Sequence, residues 1–409
     1  MSLRETAEKG TPPAHVPAEL VRDFTFAKAP GTDTDPHRAV SVLHGEPDIF
    51  FNLHTQTWRA PTWVVTRYEL LREILADAVT FSSQQISQFS SLIGETWNLI
   101  PLEQDPPDHA KYRQLLNPLF IPQRLNTLED SMRRTCRDLL GKFRDAGECE
   151  FTDSFGRPFP VSVFMVLMGL PLEHTDRFLD WEHELLHTLD AAPKRAAALK
   201  IKEYLVALIQ ERRGRPADDF VSHVLSGKVD GRLLSDQEAL AVCFLLFVGG
   251  LDTVASSLGF AFRYLASNPH AQDRLRSEPA LLEPAIEELL RAHAVVTTKR
   301  IVTRDINFHG VQMRKGDWVD CATMLANTDE REFPEPFKVD FARSPNRHFT
   351  FGTGPHRCIG APLARREFKI AISEWIDAFR PFRIKSGTTP KTHAVTVFGV
   401  EELWLAWDR

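Results

Sequence analysis

The chain has 409 residues, 43% hydrophobic and 25% charged, with 49 lysines and arginines against 55 aspartates and glutamates. This is the composition of a globular chain with material for a deep core, and its near-balanced charge argues against a nucleic acid partner. Five cysteines without a C-x-x-C pair support neither a disulfide framework nor a zinc-finger spacing, which leaves room for one cysteine with a special task.

Residues 1–35 are rich in proline and mixed charge and read as a loose leader; the first forty residues contain no continuous apolar run of signal-peptide length, so a cytoplasmic location is expected. Phe50–Leu53 and Thr62–Val65 read as strands and Tyr68–Ala76 as a helix. From Gln123 to Leu290 apolar residues recur at helical spacing, as in Ser131–Phe143, Pro160–Met168 and Ala196–Glu211. Ser235-Asp236-Gln237-Glu238 has the pattern of a capping box and opens a helix whose apolar body, Ala239–Leu251, is too short for a bilayer and reads as core, with no membrane association. Gly249 and Gly250 each cost that helix roughly 1 kcal/mol relative to alanine, so a local advantage such as close approach to a cofactor should offset them. Thr253, four residues after Gly249, has the spacing to hydrogen-bond that carbonyl and loosen the ladder; a kinked core helix satisfies the same pattern. The tail, Phe382–Lys385 and Ala394–Trp407, returns to alternation and suggests a terminal hairpin or small sheet. With no linker or repeat, residues 1–409 read as a single, mainly α domain with a smaller β-rich region.

The sharpest local signal is Phe351-Gly352-Thr353-Gly354-Pro355-His356-Arg357-Cys358-Ile359-Gly360, running into the helical stretch Ala361–Phe368. A cysteine at a helix start is biased toward the thiolate, the form that binds a metal, and three glycines let the backbone approach a flat cofactor. Taken alone, a cysteine among glycines also suits a structural turn. The whole string, however, resembles the haem-binding loop of the cytochrome P-450 superfamily, F-G-x-G-x-H-x-C-x-G, at every fixed position, and nearly the whole chain is similar to the bacterial camphor-hydroxylase branch.

That resemblance implies the cytochrome P-450 fold, a helical triangular prism with a smaller β-rich region. It implies a haem-thiolate monooxygenase carrying heme b, with Cys358 as the metal ligand; a thiolate pushes electron density toward the iron and favours O–O cleavage. Gly249–Thr253 would be the distal oxygen-binding segment, with Thr253 holding the reacting oxygen and Asp252 gating protons from solvent. Camphor-type members pair this aspartate with basic residues, at positions occupied here by Leu179 and His187; a histidine would make the gate more pH-sensitive. Glu288, Arg291 and Arg343 would form a buried structural network, and His109, Arg113, Arg300 and His356 would bind the haem propionates.

The same likeness places Trp97, Leu99, Leu102, Leu186, Leu245, Val248, Val296, Thr396 and Val397 in the substrate pocket. Trp97 stands where camphor-type enzymes carry a hydrogen-bonding tyrosine, so a terpenoid or norisoprenoid ketone such as an ionone is a better expectation than camphor. With no flavin or nicotinamide domain, electrons are expected from a [2Fe-2S] ferredoxin with a flavoprotein reductase, docking on a basic face of Lys111, Arg113, Arg343, Arg347 and Arg357. Rival readings are a non-catalytic haem sensor, which would need no acid–alcohol pair, a relative using peroxide directly, and a zinc hydrolase through His183-Glu184-Leu185-Leu186-His187, an H-E-x-x-H match with no third ligand in an extended signature.

Overall fold

Runs of β-branched and aromatic residues with no polar alternation make strands buried on both faces, and Ile49–Asn52 and Thr62–Val65 are of this kind, with all eight residues buried. The computed structural model describes residues 11–53, 61–87, 89–188, 190–379, 381–395 and 397–408. The chain divides into two compact units, each assembled from three separate stretches, which is why no linker marks a boundary.

The first unit takes residues 1–86, 288–357 and 391–399. Its six-stranded sheet runs Val21–Arg22, Ile49–Asn52, Thr62–Val65, Trp318–Ala322, Thr297–Val302, Phe81–Ser82. Trp63, fully buried, anchors the sheet through its indole N–H to Asp317 at 2.8 Å. The Tyr68–Ala76 helix lays Tyr68, Leu71, Ile74 and Leu75 onto the core that also holds Phe51, Trp63 and Val319.

One expectation needs correcting here. The stretch read as a loose leader is already tied down at His15, 2.8 Å from Asp317, and at Val16 in the core; Val21 and Arg22 pair in parallel with Phe51 and Asn52, and the Asn52 amide both accepts from Phe24 N–H (3.0 Å) and donates to Phe24 C=O (2.8 Å). A two-residue strand has no periodicity to read, and a side-chain amide completing its ladder leaves no signal at all.

The second unit takes residues 87–287, 358–390 and 400–409 and is mostly helix. Its apolar core gathers Phe164, Phe178, Leu185, Ile201, Phe244 and Phe247 from four helices, Pro158–Met168, Thr175–Leu186, Ala191–Gly214 and Asp236–Gly250. The tail forms a three-stranded sheet in which Trp404–Trp407 lies between Phe382–Ile384 and a strand from mid-chain, Glu148–Glu150. The small sheet was expected; its third strand was not. Residues 236–267 are long and apolar enough to cross a membrane by length and composition, yet 67% of their most apolar window is buried inside the protein, which fits a core helix.

Candidate active site

The capping box is formed as its sequence suggests, with Ser235 Oγ accepting from Glu238 N–H and Glu238 accepting from Ser235 N–H. The helix it opens stops at Gly250; Leu251 (φ −92°, ψ −66°) interrupts the ladder, and a second helix, Asp252–Ser267, begins immediately. Where the sequence suggests one loosened helix, the structure shows two. Gly249 is exposed, and a Cβ built there would meet nothing within 4 Å, while one at Gly250 would touch only Phe164 at 3.8 Å. Thr253 donates its hydroxyl to Gly249 C=O at 3.0 Å, across the interruption. Asp252 is 4% exposed, sits in the first turn of its helix where the dipole favours a carboxylate, and accepts from Ser256 Oγ at 3.2 Å.

Asp252 also faces a cation. His187, at the C-terminal end of the Thr175–Leu186 helix, places Nε2 3.1 Å from Asp252 Oδ1 and 3.2 Å from Glu182 Oε1. Burial, the largest single influence, pulls the imidazole toward neutrality; the charge and hydrogen bond of Asp252, followed by those of Glu182, more than offset it and raise its pKa to about 10. Leu179, the other position matched to a basic residue, brings no charge. Its backbone carbonyl instead accepts from Arg157 Nη2 (3.1 Å), and the same nitrogen donates to Glu182 Oε2 (2.8 Å). A cation is thus supplied from the turn before the Pro158–Met168 helix, an element that the sequence comparison did not point to.

The H-E-x-x-H stretch lies on the Thr175–Leu186 helix and the residue after it. His183 and His187 stack their rings at 5.6 Å and 15°, Glu184 lies 3.6 Å from Lys200, and the carboxylate of this helix that reaches His187 is Glu182.

Six of the residues expected to line the pocket belong to the second unit's apolar core: Trp97 and Leu99 are buried in it, and Leu102, Leu186, Leu245 and Val248 lie partly buried against it. Trp97 meets Phe244 edge-on at 5.4 Å, is 7% exposed, and its Nε1–H finds no acceptor among the described residues. In the first unit Val296 bridges Val397, while Thr396 lies outside the described residues.

Cys358 precedes the Ala361–Ala378 helix by three residues and is exposed, whereas Cys136, Cys149, Cys243 and Cys321 are buried. Burial pushes all four of those thiols up, Cys243 and Cys321 to about 12, so none is suited to thiolate chemistry. A Cβ at Gly360 would stand 3.7 Å from Cys358 Sγ, so the glycine keeps one approach to the sulfur clear. Gly354, at φ +71°, passes so close to Leu75 that a Cβ would fall 2.4 Å from its carbonyl oxygen, and only glycine fits. His109 and Arg113 stand one turn apart on the Asp108–Leu116 helix of the same unit as Cys358. Arg300, 2% exposed on the Thr297–Val302 strand, and His356 belong to the other unit. Within the second unit, an exposed cysteine just ahead of a helix, a glycine beside its sulfur and two basic side chains suited to carboxylates are donor types that fit haem.

Within the first unit, Glu288 takes Arg291 (both at 2.8 Å) and Arg343 (3.0 and 3.1 Å), and adds Asn346 and the Asp340 N–H. The basic face fares less well, since Lys111 is spent on Asp108 and Asp230, Arg343 on Glu288 and Arg347 on Glu332.

Comparison with known proteins agrees with this geometry. The family model described as Cytochrome P-450 matches residues 24–401. Probable cytochrome P-450 127A1 of Sinorhizobium fredii is 42% identical over 412 residues, covering 99% of each chain. The polyketide biosynthesis cytochrome P-450 PksS of Bacillus subtilis is 30% identical over 84% of this chain and 89% of its own. Among solved structures, CYP101J2 superposes with a TM-score of 0.89 at 31% identity, covering 98% of this chain and 100% of that one, and CYP101C1 with 0.88 at the same identity and coverage.

Proposed function

The chain belongs to the cytochrome P-450 family and is a haem b monooxygenase that uses dioxygen and a redox partner; from that premise we propose that its substrate is a small, mostly apolar ketone of the terpenoid or norisoprenoid type. The net reaction inserts one oxygen atom of O2 into the substrate, and two electrons and two protons carry the other away as water. When bound through a cysteine thiolate, haem supplies the oxygen-activating chemistry. Cys358 is the residue that would hold it, with His109, Arg113, Arg300 and His356 as propionate partners.

The observation that carries the substrate class is Trp97, a buried indole N–H with no acceptor among the described residues, set among aliphatic and aromatic side chains. Burying a donor without an acceptor is unfavourable, so a ligand carbonyl would be selected over a plain hydrocarbon. Indole and phenol donate from different positions, which is the argument for an ionone-like shape over camphor.

Proton delivery is assigned to Asp252 and Thr253. The Asp252 carboxylate would carry protons inward from His187, and the Thr253 hydroxyl, now resting on Gly249 C=O, would turn to hold the reacting oxygen and a water. This pair disfavours the sensor and direct-peroxide readings, and family membership answers the zinc hydrolase. We assign electron supply to a [2Fe-2S] ferredoxin with a flavoprotein reductase, and location to the cytoplasm.

The test is a spin-state titration of purified holoenzyme with β-ionone and camphor, after checking that its ferrous carbon monoxide complex shows the red-shifted Soret band of thiolate ligation and that Cys358→His lacks it. β-Ionone is expected to give the larger shift, and Trp97→Phe to weaken it several-fold, on the scale of one hydrogen bond of about 1 kcal/mol. Equal or better response to camphor, or no change in Trp97→Phe, would overturn the substrate assignment.

A further inference from the structure

Two carboxylates share one imidazolium in the second unit, and they are held very differently. Asp252 reaches His187 at 3.1 Å from the first turn of a helix that has just been interrupted at Leu251, and the same oxygen accepts from the Ser256 hydroxyl at 3.2 Å. Glu182 reaches the same Nε2 at 3.2 Å from the body of the Thr175–Leu186 helix and is 2% exposed. Its second oxygen is clamped by Arg157 at 2.8 Å, and Arg157 is itself fixed by Leu179 C=O at 3.1 Å and Asp153 at 3.4 Å. One acceptor stands beside a break in the backbone; the other is pinned by a guanidinium.

We propose that Glu182, anchored by Arg157, is a positioning residue of the proton path: it keeps hold of His187 each time Asp252 lets go. This rests on the assignment of Asp252 as the proton-carrying acid. If Asp252 were the sole partner, its departure would strand a largely buried cation, and that penalty would lock the acid in place. Because Glu182 is already within hydrogen-bond distance, Asp252 departs from a cation that stays paired. Arg157 sets how strongly Glu182 competes, since a carboxylate already neutralised by a guanidinium pulls less on a second cation. Among the described residues, the titratable and charged groups seen to face His187 include Asp252 from the following core helix, Glu182 and the stacked ring of His183 from its own helix, and, through Glu182, Arg157.

This arrangement predicts opposite shifts from two neighbouring substitutions, which loss of packing would not produce. The imidazole of His187 is titrated by 15N NMR in the diamagnetic carbon monoxide complex of the ferrous holoenzyme, with the resonance assigned by His187→Gln. Glu182→Gln should lower its pKa by about one unit, the scale of losing one adjacent carboxylate, and Arg157→Gln should raise it. Glu182→Asp, which keeps the charge on a shorter arm, should fall between wild type and Glu182→Gln and guards against a folding failure. In parallel, O2 uptake by holoenzyme given electrons photochemically from deazaflavin should lose activity at lower pH in Glu182→Gln and at higher pH in Arg157→Gln. An unmoved imidazole in Glu182→Gln, or a moved imidazole with an unmoved uptake profile, overturns the role of Glu182. If Asp252→Asn itself leaves uptake and its pH dependence unchanged, the reading of Asp252 falls first and takes this inference with it.

Discussion

Glu288 and Asp252 are both buried carboxylates that meet cations, and the protein treats them in opposite ways. Glu288, in the first unit, is enclosed by Arg291 and Arg343 through four hydrogen bonds, with the Arg291 side chain 0% exposed. Guanidinium is charged at every accessible pH and its fork matches the carboxylate, so this site has one state. Asp252, in the second unit, faces an imidazole that is 19% exposed and already shared with Glu182. A titratable, divided partner leaves Asp252 free to change state. Where a fold needs rigidity it surrounds an acid with arginine, and where it needs proton traffic it pairs the acid with a group that can also let go.

The largest effect should come from breaking the rigid site. Glu288→Gln leaves two guanidiniums facing each other without an anion and should cost about 3–5 kcal/mol, read as loss of haem-containing protein and a lowered thermal midpoint. Asp252→Asn should do the reverse, keeping the thermal midpoint within a few degrees while slowing O2 turnover by roughly a hundredfold, the ordinary scale of removing an acid–base group. A collapse of stability there would erase the distinction between the two sites.

Replacing His187 sharpens the comparison by making the mobile site resemble the rigid one. The folded-state pKa of His187 is raised to about 10 from an unfolded value of 6.5, so its ion pairs stabilise fully below 6.5 and their contribution is lost as pH rises through 10. Denaturation midpoints measured from pH 6 to 10.5 should fall across that window by an amount worth on the order of a few kcal/mol. His187→Arg should flatten the curve and remove the alkaline decline in turnover. The smallest effect on stability, below about 1 kcal/mol, belongs to Thr253→Ala, which loses one hydroxyl bond to Gly249. Its signature is a lower yield of product per reductant consumed, with hydrogen peroxide making up the difference.

What could be read in the chain beforehand follows from how local each feature is. The cysteine loop, the Ser235–Glu238 cap, the Tyr68–Ala76 helix and the Glu288–Arg291 pair are contiguous or lie within a helical turn, so spacing exposes them. Arg157 and Glu182 were not legible, because a guanidinium in a turn and a carboxylate on the next helix look like ordinary surface charges until tertiary packing joins them. The H-E-x-x-H pattern drew the eye to Glu184, two residues away from the carboxylate that reaches His187. The break at Leu251 was legible only as a loosened ladder, from Thr253 four residues after Gly249; that it divides the stretch into two helices is a backbone event which the apolar pattern, resuming at Val254, does not encode.

The interleaving of the two units carries a consequence for how the protein is made. The first unit needs residues 1–86, 288–357 and 391–399, and the second needs 87–287, 358–390 and 400–409, so neither is complete until the ribosome has passed residue 390. Vectorial synthesis therefore cannot finish one half and then the other. The strands around Phe50, Phe51 and Trp63, which the finished unit buries, must wait for Trp318–Ala322 while still on the nascent chain. Long-range pairing of this kind is slow and leaves apolar edges open to aggregation, so yield should depend on chaperones and on translation speed more steeply than final stability does.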